Sequence, residues 1–166
     1  MPTLYLIGHT VLDICLLRRG PQDLPYSTTL LAIAVALSGL LGYPTMRALP
    51  PGTPTPVLDL ILAMALAAGY LYLVLRFHGL AARFVQSATA LFATDCVISA
   101  LSLPLLELGG SESQATMLGL TGLIIWNLVI IAHILRNALD ASLGMGFAWA
   151  LGYVMSSGLI MQAMHA

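Results

Sequence analysis

The chain has 166 residues, of which 59% are hydrophobic and 8% charged, and its mean hydropathy is +0.94. Soluble domains carry about a quarter charged residues, so this composition excludes an ordinary soluble domain and predicts an integral membrane protein. The net charge is −1 and all six basic residues are arginines, which leaves no basic surface for nucleic acid. Cys15 and Cys96 lie too far apart for a zinc-type spacing and predict no disulfide framework.

Residues 1–20 predict an amphipathic helix that precedes the membrane spans. Arg18 and Arg19 follow its apolar stripe, and Gly20-Pro21 is a typical helix stop. Because the positive charges follow the apolar stretch, the segment does not resemble a secretory signal peptide. We interpret it as an interfacial helix on the inner leaflet, with a helix packed under the bundle as the alternative. The stripe consists of Leu4, Ile7, Val11 and Ile14.

Five further segments are long and apolar enough to cross a bilayer. A spanning helix needs about 20 apolar residues, because the hydrocarbon core is about 30 Å thick and each residue rises about 1.5 Å. The sequence therefore predicts an all-α fold, a polytopic transmembrane bundle of five helices over residues 27–166. The predicted spans are residues 27–46, 57–77, 84–106, 115–135 and 143–164.

The arginines predict the orientation of the chain, because positively charged loops stay on the cytoplasmic side. Five arginines fall on one side of the predicted bundle and Arg47 alone on the other. We therefore expect a cytoplasmic N-terminus and an external C-terminus. The Ala-, Leu- and Gly-rich, lysine-free composition is typical of a high-GC bacterial gene and hence of an inner membrane. The five cytoplasmic arginines are Arg18, Arg19, Arg76, Arg83 and Arg136.

Small residues at four-residue spacing predict where helices pack closely. In lipid, such residues let helix backbones approach each other. We expect the stripe of the fifth span to pack within the chain, with a homodimer seam as the alternative. That stripe is Gly144, Ala148, Gly152 and Ser156, and the first span carries a shorter one at Ala34, Ser38 and Gly42.

Asp95 lies near the middle of the third predicted span, where an ionisable residue needs a partner or a function. Ser99 and Ser102 continue its helix face, and Asn127 of the fourth span reaches a similar depth. The functional hypothesis is a proton or cation site at Asp95 and Asn127. The structural hypothesis is a neutral Asp95, hydrogen-bonded to Asn127 or to a serine, that joins two helices.

The other polar residues indicate no catalytic or metal site. His133 shares a helix face with Trp126 and is expected near the inner boundary, and Asp59 is expected to favour the N-terminus of the second span. His9 and Asp13 are suitable ligand types at i,i+4, but no metal-binding motif surrounds them. We expect no metal, no cofactor and no enzymatic activity, since no nucleophile and base can be named.

Residues 20–27, Gly-Pro-Gln-Asp-Leu-Pro-Tyr-Ser, place a Gly-Pro element just before the first span, and Ser102-Leu103-Pro104 lies late in the third. With five spans, a cytoplasmic N-terminal segment and an external C-terminus, the chain resembles the Yip1-type family of small polytopic membrane proteins. It departs from the eukaryotic members by lacking an acidic-aromatic lead-in and a long cytosolic N-terminal domain. The resemblance implies a protein that organises membranes or binds partners rather than a catalyst.

Two functional hypotheses follow from the sequence. The first is a non-enzymatic membrane organiser, scaffold or accessory subunit that contacts lipid and other membrane proteins, or itself as a homodimer, through its helices. The alternative is a small transporter or channel built around Asp95 and Asn127. An intramembrane enzyme comes third, supported only by scattered histidines and cysteines.

Overall fold

The computed structural model describes residues 2–48, 55–109 and 113–165, with side chains from residue 5 onward. Over these ranges the chain forms helices without strands, which confirms the predicted all-α fold. Two short 3-10 turns, Pro21–Asp23 and Ala81–Arg83, precede longer helices. The helices are α1 (Pro2–Cys15), α2 (Thr28–Ala48), α3 (Pro56–Phe77), α4 (Phe84–Gly109), α5 (Gln114–Leu139) and α6 (Leu143–Met164).

Helices α2 to α6 each have the length and apolarity of a membrane span, in agreement with the five predicted segments. The predicted boundaries lie within four residues of the observed ones at every end. The largest differences are at the ends of α4 and α5, which run on to Gly109 and Leu139. Helix α4 continues through Pro104, so this proline does not end the span.

Successive spans run in opposite directions, and α4 lies at the centre of the bundle. Helix α4 packs against α1, α2, α3 and α5, and its most extensive contact is with α2, while α6 packs mainly on α5. The start of α4 is tied to the end of α5, because Arg83 Nη1 donates to the Ala138 carbonyl at 3.0 Å. We call this end of the bundle, which carries Arg76, Arg83 and Arg136, the arginine end.

Helices α5 and α6 approach most closely at Gly146. A Cβ atom at this position would lie 2.4 Å from the backbone oxygen of Ala132, closer than real Cβ contacts. Gly146 is buried, and Ala150, one turn further along α6, is completely buried. A glycine is therefore required here by the proximity of the α5 backbone.

The packing face of α6 differs from the predicted stripe. Gly144 and Ala148 are exposed, whereas Gly152 lies beside the hydroxyl of Tyr70 on α3, and the Ser156 hydroxyl donates to the Gly152 carbonyl of its own helix at 2.7 Å. The predicted intrachain packing is therefore wrong for Gly144 and Ala148. Helix α6 carries small residues on two faces, and their four-residue period alone does not decide which face meets α5.

The shorter stripe of α2 packs within the chain. Ala34 and Ser38 are buried, and Gly42 is partly buried beside Leu60 of α3. The Ala34 carbonyl faces the Cys96 thiol of α4, at 3.8 Å from the sulfur. Small residues on α2 thus allow its close approach to α4.

The N-terminal helix α1 lies in neither of its predicted positions. Ile14 and Cys15 are buried in a cluster with Ile130 and Ile134 of α5. The Trp126 indole donates to the Cys15 carbonyl at 3.0 Å. Trp126 is 13 residues from the end of α5, so the end of α1 lies about 20 Å along that helix. Helix α1 therefore packs along the sides of α4 and α5, rather than on the membrane surface or under the bundle.

The chain leaves α1 earlier than the predicted stop at Gly20-Pro21. Helix α1 ends at Cys15, Leu17 adopts a left-handed conformation with φ 61°, and the Arg18 amide donates to the Asp13 carbonyl at 2.8 Å. The following segment runs to the arginine end and buries Gly20 and Pro21. Gly20-Pro21 thus begins a 3-10 turn, in which Pro21 is buried and Gln22 and Asp23 are exposed, instead of ending the helix.

We expect Gly146→Ala to lower the stability of the protein in detergent by about 1–3 kcal/mol, because the added methyl group meets the backbone of α5. Gly144→Ala is the matched control, since no atom lies within 4 Å of a Cβ at that position. Thermal unfolding of the two variants checks this. Equal melting temperatures for both variants would contradict the close approach at Gly146.

Candidate intramembrane polar site

The centre of the site is a hydrogen bond between two spans. The Ser38 hydroxyl of α2 donates to Oδ2 of Asp95 on α4 at 2.5 Å. Ser38 is 1% exposed, so its hydroxyl is shielded from the surroundings of the bundle. In lipid the side chains have few alternative partners, and the hydrogen bond holds the two most extensively packed helices in one register.

Polar side chains from four helices meet at the depth of Asp95. Ser38, Asp95, Asn127 and Tyr153 each lie ten to twelve residues from the arginine end of their own helix. At about 1.5 Å per residue, this places all four about 15–18 Å from that end, near the middle of a bilayer. The four residues can meet because they lie at the same depth, although α5 runs in the opposite direction to α2, α4 and α6.

These four residues line one partly open cavity of about 100 Å³ between the helices. A water molecule needs about 10–15 Å³ of such space together with polar partners, so the cavity has room for several waters or a small hydrated ion. Ser38 holds Oδ2 of the carboxyl group, and Asp95 itself forms part of the cavity wall. Apolar side chains, among them Met64, Leu91 and Phe92, form the remainder of the wall.

Asp95 accepts from a serine of another helix, which is one of the two kinds of partner expected, but that serine is Ser38 of α2. Among the described residues, the hydrogen bond to Asp95 comes from Ser38 and not from Asn127, which lies across the same cavity. Ser99 and Ser102 are buried but do not line the cavity, and the Ser102 hydroxyl donates to the Ile98 carbonyl of its own helix at 2.8 Å. The site therefore extends across four helices instead of along α4.

The electrostatics of the cavity restrict what it can hold. No arginine or histidine is found among the described residues that line it, so an ionised Asp95 has no cationic side chain as a partner. Burying an unpaired charge costs several kcal/mol, and a bound proton or cation removes that cost. The oxygens of Ser38, Asn127 and Tyr153 are suitable acceptors for a protonated water or ligands for a small cation.

A second set of polar contacts anchors the N-terminal segment. His133 is 8% exposed, and its Nε2 donates to the Arg19 carbonyl at 2.8 Å. It shares this face of α5 with Trp126, as predicted, but is buried by the chain rather than placed at the interface. Asp13 accepts from Arg19 Nε at 3.2 Å and contacts His9 Nδ1 at 3.1 Å. Burial raises the pKa of the neighbouring Cys15 thiol to about 11, so the thiol is neutral and unreactive at physiological pH.

A contact between two polar side chains at the opposite end of the bundle joins α3 to the end of α6. Asp59, 4% exposed, lies 3.1 Å from Nε2 of His165, and its second oxygen is buried without a partner in the described chain. The prediction of a favourable helix start agrees with its place in the first turn of α3. His165 could not be identified from the sequence as the partner of Asp59, because the two residues are distant in the chain.

No three histidine, cysteine or acidic side chains within the described ranges come close enough together to hold a metal ion. Cys15 and Cys96 are both free thiols. No family model, curated protein or solved structure matches the chain. The contacts of the site itself are therefore the basis for any function.

Replacing Ser38 by alanine removes the donor to Asp95 and leaves Oδ2 without a partner. We expect a loss of about 1 kcal/mol in stability in a bilayer-like environment. Ser157→Ala is the control, because the Ser157 hydroxyl donates only to the Val154 carbonyl of its own helix. Unfolding of both variants by a denaturing detergent measures the difference. Identical unfolding curves would show that the hydrogen bond between α2 and α4 adds no stability.

Proposed function

We propose that the chain is a small membrane transporter or channel whose Asp95 cavity binds a proton or a small cation in the middle of the bilayer. The observation that carries this proposal is the meeting of Ser38, Asp95, Asn127 and Tyr153, from four helices, around one carboxyl group. Ionisable residues inside spans mark ion pathways and proton relays in membrane proteins. Substrate and coupling-ion sites of transporters commonly lie at this depth.

Ser38 and the cavity have different roles at the Asp95 carboxyl group, and this difference supports the proposal. Ser38 holds one oxygen and so fixes the rotamer of Asp95, while the cavity receives the exchanging proton or ion. A site without a cationic side chain becomes neutral when the proton or cation binds, and the neutral form is the one that lipid tolerates. Binding and release of the proton or cation thus change the charge at the centre of the bundle. The helices can rearrange in response to this change.

The test is flux in liposomes that contain the purified protein. Under an imposed pH gradient, a pH-sensitive dye inside the vesicles reports proton movement, and separate sodium and potassium gradients at constant pH report the cations. We expect Asp95→Asn to lower the flux of the transported ion at least tenfold, because the amide neither releases a proton nor balances a cation. Glu107→Gln, which removes an exposed acid from the same helix, keeps the flux.

Two outcomes contradict the proposal. The first is wild-type vesicles that conduct no more than protein-free vesicles for any of the three ions. The second is an Asp95→Asn variant with unchanged flux, which makes the charge of the cavity irrelevant.

The exposed face of α6 favours a second function, a non-enzymatic organiser or accessory subunit that acts through contacts between helices. Gly144 and Gly158 have no atom within 4 Å of a Cβ position, and Ala148 between them is exposed. These small residues allow close packing with a second copy or with another membrane protein. The resemblance to the Yip1-type family implies the same role.

Energy transfer between labelled copies in bilayers tests this second function. We expect Gly144→Leu to reduce association, because leucine holds the partner helix away from the α6 backbone. Ile160→Ala, an exposed position on the opposite side of the same helix, is the control. Copies that remain monomeric at all protein-to-lipid ratios, and that retain no other membrane protein in mild detergent, exclude it.

We propose that the protein is located in the bacterial inner membrane, with the arginine end of the bundle in the cytoplasm. Arg76, Arg83 and Arg136 all belong to this end of the bundle, and Arg47 lies near the opposite end of α2. This distribution supports a cytoplasmic N-terminus and an external C-terminus through the preference of arginine for the cytoplasmic side.

A further inference from the structure

A polar cavity at the arginine end is separate from the site at Asp95. It has a volume of about 180 Å³ and lies between the 3-10 turn that follows α1, the first turn of α4 and the end of α5. This volume is well above the about 10–15 Å³ that one water molecule requires. Besides Pro21 and Ala138, its lining residues carry polar side chains, and these are Gln22, Arg83, Gln86, Ser87, Asn137 and Asp140.

Ser87 indicates that the cavity is built to receive a polar group. The residue is 1% exposed, and its hydroxyl oxygen has no hydrogen-bond partner in the described chain. Most serines of a membrane helix satisfy their hydroxyl by donating to a carbonyl of the preceding turn, as Ser102 does on the same helix. A buried hydroxyl without a partner is costly, and a ligand that accepts its hydrogen bond removes the cost.

The charged residues of the cavity define the chemistry of that ligand. Arg83 uses one N–H for the Ala138 carbonyl and another for Asp140, at 2.7 Å, and a guanidinium group has five. The hydrogen bond and the charge of Arg83 hold the pKa of Asp140 below its usual range, so Asp140 is ionised at neutral pH. The cavity thus offers a cation and an anion side by side, together with a hydroxyl donor.

We propose that this cavity binds the zwitterionic headgroup of a phospholipid with a primary amine, phosphatidylethanolamine. The phosphate oxygens accept from Arg83 and from the Ser87 hydroxyl, and the ammonium group donates to Asp140. Helix ends of membrane spans lie at the level of the lipid headgroups, and the cavity lies where α4 begins and α5 ends. A lipid bound in this cavity holds the 3-10 turn Pro21–Asp23 against α4 and α5.

The pairing of charges explains why related headgroups fit less well. A phosphatidylglycerol headgroup carries no cation, so its phosphate brings a second negative charge to Asp140 without compensation. A phosphatidylcholine headgroup carries a cation without N–H donors, and therefore cannot hydrogen-bond to the carboxylate. The expected order of affinity is phosphatidylethanolamine first, with phosphatidylcholine and phosphatidylglycerol both weaker.

Native mass spectrometry of the delipidated full chain in mild detergent, titrated with each of the three lipids, tests the proposal. We expect Ser87→Ala to weaken binding of phosphatidylethanolamine about tenfold, because the phosphate loses a charge-assisted hydrogen bond. The melting temperature of lipid-free Ser87→Ala should equal or exceed that of the wild type, since the variant removes an unpaired buried hydroxyl. A purely structural serine predicts the opposite, a lower melting temperature.

The Asp140→Asn variant distinguishes the contribution of the ammonium group to binding from that of the phosphate. It should weaken phosphatidylethanolamine and leave phosphatidylglycerol unchanged or stronger, because only the ammonium group contacts this carboxylate. Arg76→Lys, at the same end of the bundle but outside the cavity, is the control and should change neither affinity.

Three results would overturn the proposal: equal affinity for all three lipids, unchanged affinity in both variants, or equal binding of soluble glycerophosphoethanolamine. The last result would identify a water-soluble phosphate ester as the ligand instead of a lipid.

Discussion

The lack of water in the bilayer core is the constraint on which the rest of the structure depends. In lipid, a polar group finds its partner inside the protein or remains unpaired. Several serine and threonine hydroxyls of the spans meet this requirement locally, as when Thr89 donates to the Val85 carbonyl and Thr45 to the Leu41 carbonyl. Asp95 has no such local solution and accepts instead from Ser38 on a neighbouring helix.

The same constraint accounts for the path of the N-terminal segment. Between α1 and α2 the backbone is largely non-helical, and its carbonyl groups would be unpaired beside the spans. Three side chains of α4 and α5 supply the donors: Trp126 binds the Cys15 carbonyl, His133 that of Arg19, and Gln86 that of Leu24. These donors descend from the middle of the bundle to the arginine end. They hold α1 against the spans and place the 3-10 turn beside the cavity near Ser87.

The spans were predictable because a stretch of about twenty apolar residues commonly forms a helix that crosses the bilayer. The predicted ends of the spans agree with the structure within four residues. The depth of Asp95 and Asn127 followed from the same count along the helices. Which helices face each other did not follow, and so Ser38, whose spacing indicated only packing, was missed as the partner of Asp95. Gly146 and Ala150 form a second, shorter small-residue face of α6, and the backbone of α5 at Ala132 lies against Gly146. The position of α1 depends on single donors from distant residues, for which no short-range pattern exists.

The account requires that Asp95 lie in the middle of the bilayer. Cys96, its neighbour on α4, allows a direct measurement of depth with a spin label in a Cys15→Ala background, since these are the two cysteines of the chain. In liposomes, relaxation of the label by oxygen, which concentrates in the hydrocarbon core, is compared with relaxation by a water-soluble nickel complex. The account predicts strong relaxation by oxygen and little by nickel, with the reverse for a label introduced at position 142, at the arginine end. Nickel access at Cys96 equal to that at position 142 would contradict it.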